Sequence, residues 1–195
     1  MPQKRKLALA VLVFIVAYAL FLAAWIQIKP FYGRSITQAS GSLASWVMKA
    51  DLEEVTQHKD KTQLTIAKPV QDRLRAGDLV LDLQLSVAAY SFNVPLTLAL
   101  MVGLYPLFQW KKRSLLEAVL ILVATHMLFV SSYLLLRQYV AFGQAGLISP
   151  SPVLKFSLEF LWTFTDNLIV RFEPFLLAIY LWLRNVPDWR LPTDM

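Results

Sequence analysis

Apolar residues along the chain form four long runs, each about as long as a membrane-crossing helix. The first, Leu7 to Ile28, contains no charged residue, and as a helix it would be about 33 Å long, enough for a bilayer core of about 30 Å. The others are Ala88 to Phe108, Leu115 to Leu136 and Phe160 to Leu183. The link between the second and third runs is short, so these two should form an antiparallel helical hairpin. The pattern therefore predicts four spans packed as a transmembrane four-helix bundle.

The segment between the first two runs, residues 29–87, carries two different periodicities. Apolar residues at spacings of three and four predict a short amphipathic helix that lies on the membrane or packs on the bundle: Ile36, Ala39, Leu43, Trp46 and Val47. Strict alternation follows from Leu79 to Val87, which is typical of a strand with one buried face. Residues 62–67 and 53–57 offer further strands. We therefore expect two or three antiparallel strands, the last of which leads directly into the second span.

Composition places the chain among α-helical integral membrane proteins. Of 195 residues, 57% are hydrophobic and 16% are charged, which is more apolar than a water-soluble domain. The chain has no cysteine and two histidines, which excludes disulfides, thiolate sites, a cysteine nucleophile and a multi-histidine metal site. No glycine-rich phosphate loop is present. The sequence therefore predicts neither a cofactor nor an enzymatic activity, and it forms a single membrane domain in our interpretation.

The net charge is +6, and the distribution of the basic residues indicates both the partners and the orientation of the protein. Basic residues flank the apolar runs instead of clustering on a soluble face, so membrane lipids are predicted partners and nucleic acid is not. With four spans, the basic flanks all fall on one side: Lys4 to Lys6, Lys111 to Arg113, and Arg184 with Arg190. That side should be the cytoplasm, with both termini there and residues 29–87 outside. The first run is too long for a cleaved signal peptide, so we expect a retained anchor.

Ionisable residues inside the predicted spans are the sharpest chemical signal, because a charge at bilayer depth costs roughly 2.5–3.5 kcal/mol on insertion scales. Asp166, Arg171 and Glu173 interrupt the fourth run. Counting along the helices places His126 level with Glu173, and Asn93 near the height of Arg171. These five residues form a candidate intramembrane polar cluster, for proton transfer or for binding an anionic group.

A structural interpretation of the same residues stays open. The charges could hold helices together, or the fourth span could be irregular and begin near Glu173. The junction of Glu173 and Pro174 supports irregularity, because a proline disfavours helical geometry before it and leaves a backbone carbonyl without its helical donor.

The layout resembles a known family at two motifs. One is the stretch Tyr-Ser-Phe-Asn-Val-Pro-Leu-Thr-Leu-Ala-Leu at residues 90–100, and the other is Phe-Glu-Pro-Phe at residues 172–175. Together with an N-terminal anchor and an outer segment, these look like the exosortase H-associated membrane proteins of the bacterial inner membrane. The resemblance implies an accessory role beside an exosortase, with the sheet in the periplasm.

Two functions follow from these observations. The first is a non-enzymatic accessory or scaffold protein in an exosortase-type protein-sorting system, whose partner is an exosortase-like membrane protein. The second is a small transporter or intramembrane enzyme with a polar site at Arg171, Glu173 and His126. Neither the partner's identity nor the oligomeric state is predicted by the sequence.

Overall fold

The fold is mainly helical, with one small sheet. The computed structural model describes residues 3–58, 60–72 and 75–185. In chain order the elements are α1 (Gln3–Met48), β1 (Asp51–His58), β2 (Lys61–Asp72), β3 (Arg75–Ser86), α2 (Val87–Ser91), α3 (Val94–Gly103), α4 (Tyr105–Phe108), α5 (Lys112–Gln144), α6 (Pro152–Phe164), a π-helix (Thr165–Val170) and α7 (Arg171–Asn185).

Helix α1 is continuous over 46 residues, so the prediction of a separate amphipathic helix after the first span is wrong. The helix passes through Pro30 and continues to Met48. Its outer half, from Lys29 to Met48, lies beside the sheet, because Lys29 Nζ is 2.6 Å from Asp60 Oδ1 at the turn between β1 and β2. At about 1.5 Å per residue this half is about 30 Å long, which matches the length of β1 running back along it.

The face that α1 turns toward the sheet and α5 consists mostly of small residues, and the predicted apolar face points outward. The buried positions of the outer half follow a helical spacing: Gly33, Ile36, Thr37, Ser40, Gly41, Ala44 and Ser45. A Cβ at Gly41 would lie 2.8 Å from Leu64 Cδ2, so the glycine permits close approach of helix and sheet. Of the residues predicted to form the packed face, only Ile36 is buried.

The predicted sheet is confirmed, with all three strands antiparallel in the order β1-β2-β3. Strand β3 alternates as predicted: Leu83 and Leu85 are buried, whereas Val80 and Asp82 are exposed. The pairing of β1 with β2 shifts between Leu52 and Glu54, which marks a bulge. The buried face of the sheet packs on α1 and α5 and forms the outer hydrophobic cluster, which includes residues 64, 66, 83 and 85.

The second and third predicted spans differ in regularity. Strand β3 leads directly into α2, as predicted. At the start of α2, the Val87 N–H donates a hydrogen bond to the Asp60 carbonyl in the β1–β2 turn, at 2.9 Å. The segment Val87–Phe108 then consists of α2, α3 and α4 in succession. The third span is longer than predicted, because α5 extends from Lys112 to Gln144 over 33 residues.

The fourth predicted span is not one regular helix. Residues 152–185 form α6, the π-helix and α7, of 13, 6 and 15 residues. Within the described residues, three helices are long and apolar enough to cross a membrane, in the segments Lys4–Met48, Val87–Phe108 and Lys112–Gln144. The predicted four-helix transmembrane bundle is therefore not confirmed, although α7 packs against α3 and α5.

The basic flanks meet at one end of the bundle. Leu7 and Leu107 line the same groove, which places Lys4 to Lys6 near the α4–α5 junction. At this junction the Lys111 N–H donates to Asn185 Oδ1 at 3.1 Å, so the end of α7 is there as well. Arg190 lies outside the described residues. The sheet is at the opposite end, and the assignment of the basic end to the cytoplasm stays a prediction.

Candidate functional site

A hydrogen-bonded chain of three polar side chains lies in the interior of the molecule. His126 Nε2 is 3.1 Å from Glu173 Oε2, and His126 Nδ1 is 2.6 Å from the Tyr32 hydroxyl oxygen. His126 is 0% exposed and Glu173 is 2% exposed. If the Tyr32 hydroxyl donates to Nδ1, the proton of a neutral imidazole is on Nε2 and is donated to Glu173. The structure therefore brings together two of the sequence candidates, His126 and Glu173.

The three hydrogen-bonded side chains lie between the two hydrophobic clusters. The outer cluster, under the sheet, contains Phe129 and Val170, whereas the bundle cluster contains Leu122 and Leu177. His126 is between Leu122 and Phe129 on α5, and Glu173 is between Val170 and Leu177 on α7. Likewise, on α1, Tyr32 packs on the outer cluster and Trp25 packs on the bundle cluster. Tyr32, His126 and Glu173 thus form one layer, which we call the polar layer. All the long segments cross it.

The sequence placed Asn93 near the height of Arg171 without predicting a contact, and in the structure Asn93 enters this layer next to Arg171. Its side-chain Nδ2 donates to the backbone carbonyl of Val170. The helical donor for that carbonyl would be the N–H of residue 174, and Pro174 has none. Val170 is buried and the carbonyl ends the π-helix, so the amide of Asn93 satisfies a group that the proline leaves free. Asn93 therefore stabilises the junction between the π-helix and α7, one turn from Glu173.

Arg171 and Asp166 are not brought into the layer. Arg171 is exposed and, among the described residues, has no ion-pair partner within 4 Å. It is two residues from Glu173, so the two side chains point in different directions on the helix, as the sequence argument requires. Asp166 is half-buried in the first turn of the π-helix. An anion site built on Arg171 together with His126 is therefore not what the structure contains.

Two tyrosines of the layer were missed by the sequence analysis. The Tyr90 ring meets the His126 ring edge to face at 5.7 Å, and the Tyr90 hydroxyl donates to the Gly33 carbonyl at 3.4 Å. Tyr32 also meets His126 edge to face, at 5.8 Å between ring centroids. Tyr90 lies in the motif at residues 90–100, but nothing in its spacing indicates a contact with helix α5.

The chemistry available to the polar layer is proton binding within a closed environment. Glu173 Oε1 is buried and has no hydrogen-bond partner among the described residues, so the carboxyl group keeps unused acceptor capacity. Tyr32, His126 and Glu173 are connected in series, and each can hold a proton. The described residues contain no group of three metal-ligating side chains.

The fold and the polar layer are those of a membrane protein. Helices long enough to cross a membrane, joined to a three-stranded sheet at one end, form a small integral membrane protein. The chain belongs to the exosortase H-associated membrane protein family, whose match extends over residues 2–185. This confirms the family suggested by the motifs at residues 90–100 and 172–175. No match was found among curated proteins or among solved structures.

Proposed function

We propose that this protein is a non-enzymatic scaffold that holds an exosortase in a protein-sorting assembly at the bacterial inner membrane, with its sheet on the periplasmic side. The observation that carries the proposal is membership of a family named for its association with exosortase H. A scaffold needs a surface that a protein partner can cover. The outer half of α1 offers one.

The outer half of α1 presents large apolar side chains away from the protein. Trp46 is 77% exposed and Phe31 is 76% exposed, and Leu43 and Val47 are exposed on the same half. Leu43, Trp46 and Val47 follow helical spacing and form one stripe, the α1 outer stripe. Uncovered aromatic residues are the side chains that dominate protein–protein binding energy, and contiguous apolar patches are unusual on a free surface.

Distance along α1 favours a protein partner over lipid for this stripe. The apolar run of the first span ends at Ile28, and Trp46 is about 27 Å further along the helix axis. The headgroup region adds only about 5–8 Å beyond the hydrocarbon core on each side. Tyr32 is level with His126 in the polar layer, and Trp46 is about 21 Å beyond Tyr32 along the helix axis. With the polar layer at mid-membrane, the stripe lies outside a hydrocarbon half-core of about 15 Å, which supports a protein partner for it.

The test is co-purification of the exosortase with the tagged full chain from native membranes. Trp46→Ala is expected to reduce the recovered exosortase at least tenfold, because truncation of a central aromatic anchor typically costs about 2 kcal/mol or more. A matched pair separates the stripe from general surface effects: Val47→Gln should weaken recovery, and Val80→Gln, at a similarly exposed valine on the sheet, should not. Unchanged recovery with Trp46→Ala would contradict a scaffold that docks through this stripe.

A second candidate function has a specific observation in its favour. The polar layer contains a fully buried His126–Glu173 pair with an unused carboxylate oxygen, which is the kind of group that intramembrane enzymes and transporters employ. Separate alanine substitutions at His126, Glu173 and Arg171 discriminate the two functions. Loss of sorting activity with exosortase recovery intact favours the polar site. Loss of recovery together with activity in Arg171→Ala, which changes an exposed residue and leaves the buried pair in place, favours the scaffold.

A further inference from the structure

A groove between helix α1 and the helices α3 and α4 opens at the basic end of the bundle. It has a volume of about 130 Å³ and is lined only by apolar side chains: Leu7, Ala10, Val11, Leu100, Leu104 and Leu107. All of these residues belong to segments that are long and apolar enough to cross a membrane. The groove therefore lies between two segments that can cross a membrane.

The sequence explains why the helices leave a groove here. Just above it, α1 and α3 touch, since a Cβ at Gly103 would lie 2.9 Å from Phe14 Cα. Below this contact Ala10 is too small to fill the space, and α3 ends at Gly103, with α4 beginning at Tyr105. The far wall is thus made of two short helices instead of one regular helix.

Basic residues lie close in sequence to the lining residues at one end of the groove. Lys4 to Lys6 directly precede Leu7, and Lys111 to Arg113 follow Leu107 closely. Arg113 is paired with Glu117 at 2.9 Å. The other basic residues of these two flanks are exposed and form no ion pair with a described residue. An apolar slot that ends between two basic flanks, in which only Arg113 is paired with a described acidic residue, has the charge and polarity of a site for a lipid with an anionic headgroup.

We propose that this groove binds part of one acyl chain of an anionic phospholipid whose headgroup lies between the two basic flanks. A zwitterionic lipid would fill the slot equally well but would gain little from the flanks. Each juxtamembrane basic residue contributes about fivefold to the binding of an anionic lipid surface. The site is distinct from the α1 outer stripe and from the polar layer, so it is independent of the scaffold proposal.

The test measures lipid retention by the purified full chain in detergent, with phosphatidylglycerol and phosphatidylcholine as probes and native mass spectrometry as the readout. We expect one phosphatidylglycerol per protein to be retained at least tenfold better than phosphatidylcholine. Substituting Lys4, Arg5 and Lys6 by Gln should remove most of that preference. The control removes the same charge from the other end, with Gln at Lys49, Lys61 and Lys155, and should leave retention unchanged.

A second pair of variants tests the groove itself. Val11→Phe fills the slot from an exposed position, whereas Val16→Phe makes the same change at a valine of similar exposure outside it. Retention should fall several-fold with Val11→Phe and stay unchanged with Val16→Phe. Equal retention of the two lipids, or equal retention by the two phenylalanine variants, would overturn the proposal. Loss of exosortase recovery with Val11→Phe while lipid retention is unchanged would assign the groove to a partner helix instead.

Discussion

Replacing Asn93 by alanine tests the joint between the π-helix and α7. The side-chain amide donates to the Val170 carbonyl, which Pro174 leaves without a helical donor. Val170 is 1% exposed, so water cannot replace the lost donor without opening the core. An unsatisfied buried carbonyl costs about 1–3 kcal/mol, and we expect Asn93→Ala to lower the free energy of unfolding by about 2 kcal/mol.

A double-mutant cycle isolates this contact from other effects of the substitution. In Pro174→Ala, residue 174 regains an N–H that can donate to Val170 in an ordinary α-helical turn. In the Pro174→Ala background, Asn93→Ala should therefore lower the free energy of unfolding by at least about 1 kcal/mol less than in the native background. Such a coupling energy is in the range measured for residues that share one hydrogen-bonded group.

The assay is thermal unfolding of the detergent-solubilised protein, followed by circular dichroism. For a chain of this size about 1 kcal/mol corresponds to about 2–4 °C, so Asn93→Ala should lower the Tm by about 4–8 °C. Asn167→Ala is the control, because its amide also donates to a backbone carbonyl, that of Thr163, but at an exposed position. Equal costs of Asn93→Ala in the native and Pro174→Ala backgrounds would refute the argument.

Two further predictions concern packing and the polar layer. Gly33→Ala should destabilise the protein by about 1–3 kcal/mol, because the new Cβ would lie 2.3 Å from Val87 Cγ2, whereas Gly77→Ala, with open space around it, should be near neutral in the same thermal assay. Glu173→Ala should cost about 1–3 kcal/mol, since it leaves the buried Nε2 of His126 without its hydrogen-bond partner; a cost below 1 kcal/mol in thermal unfolding would contradict this.

The sheet could be predicted because its pattern is local. Strand β3 buries every second residue, and that alternation is visible from Leu79 onward without knowledge of any partner. The strand β1 was found with similar bounds, although its bulge near Glu54 depends on pairing with β2 and leaves no mark in the sequence. The direct passage from β3 into α2 was also predictable, since alternation simply gives way to a continuous apolar run.

The outer half of α1 was misread for a physical reason. The periodicity of Leu43, Trp46 and Val47 is real, but we predicted a separate short helix whose apolar side lies on the membrane or packs on the bundle. Close packing against the sheet requires small residues, and Gly41 and Ala44 supply them on the opposite side. In a membrane protein with partners, apolar periodicity identifies a face that is covered, and it does not say whether this chain or another molecule covers it.

The polar layer was only partly predictable. The matching heights of His126 and Glu173 follow from helix geometry, because both are counted from the same end of the bundle. The free carbonyl before Pro174 was expected, but its partner Asn93 depends on how α3 packs against α7. Tyr32 lies on a part of α1 that a prediction of four separate spans places outside the bundle, so no sequence argument connects it to the layer.

The polar layer restricts how the long helices can be positioned against one another. Apolar packing between helices is non-directional, so in lipid neighbouring helices could shift along one another at little cost. A hydrogen-bonded layer of Tyr32, His126, Glu173 and Asn93 permits few relative positions, because each shift leaves a buried polar group without its partner. A scaffold requires this property, since the α1 outer stripe can receive a partner only if its orientation to the membrane is fixed.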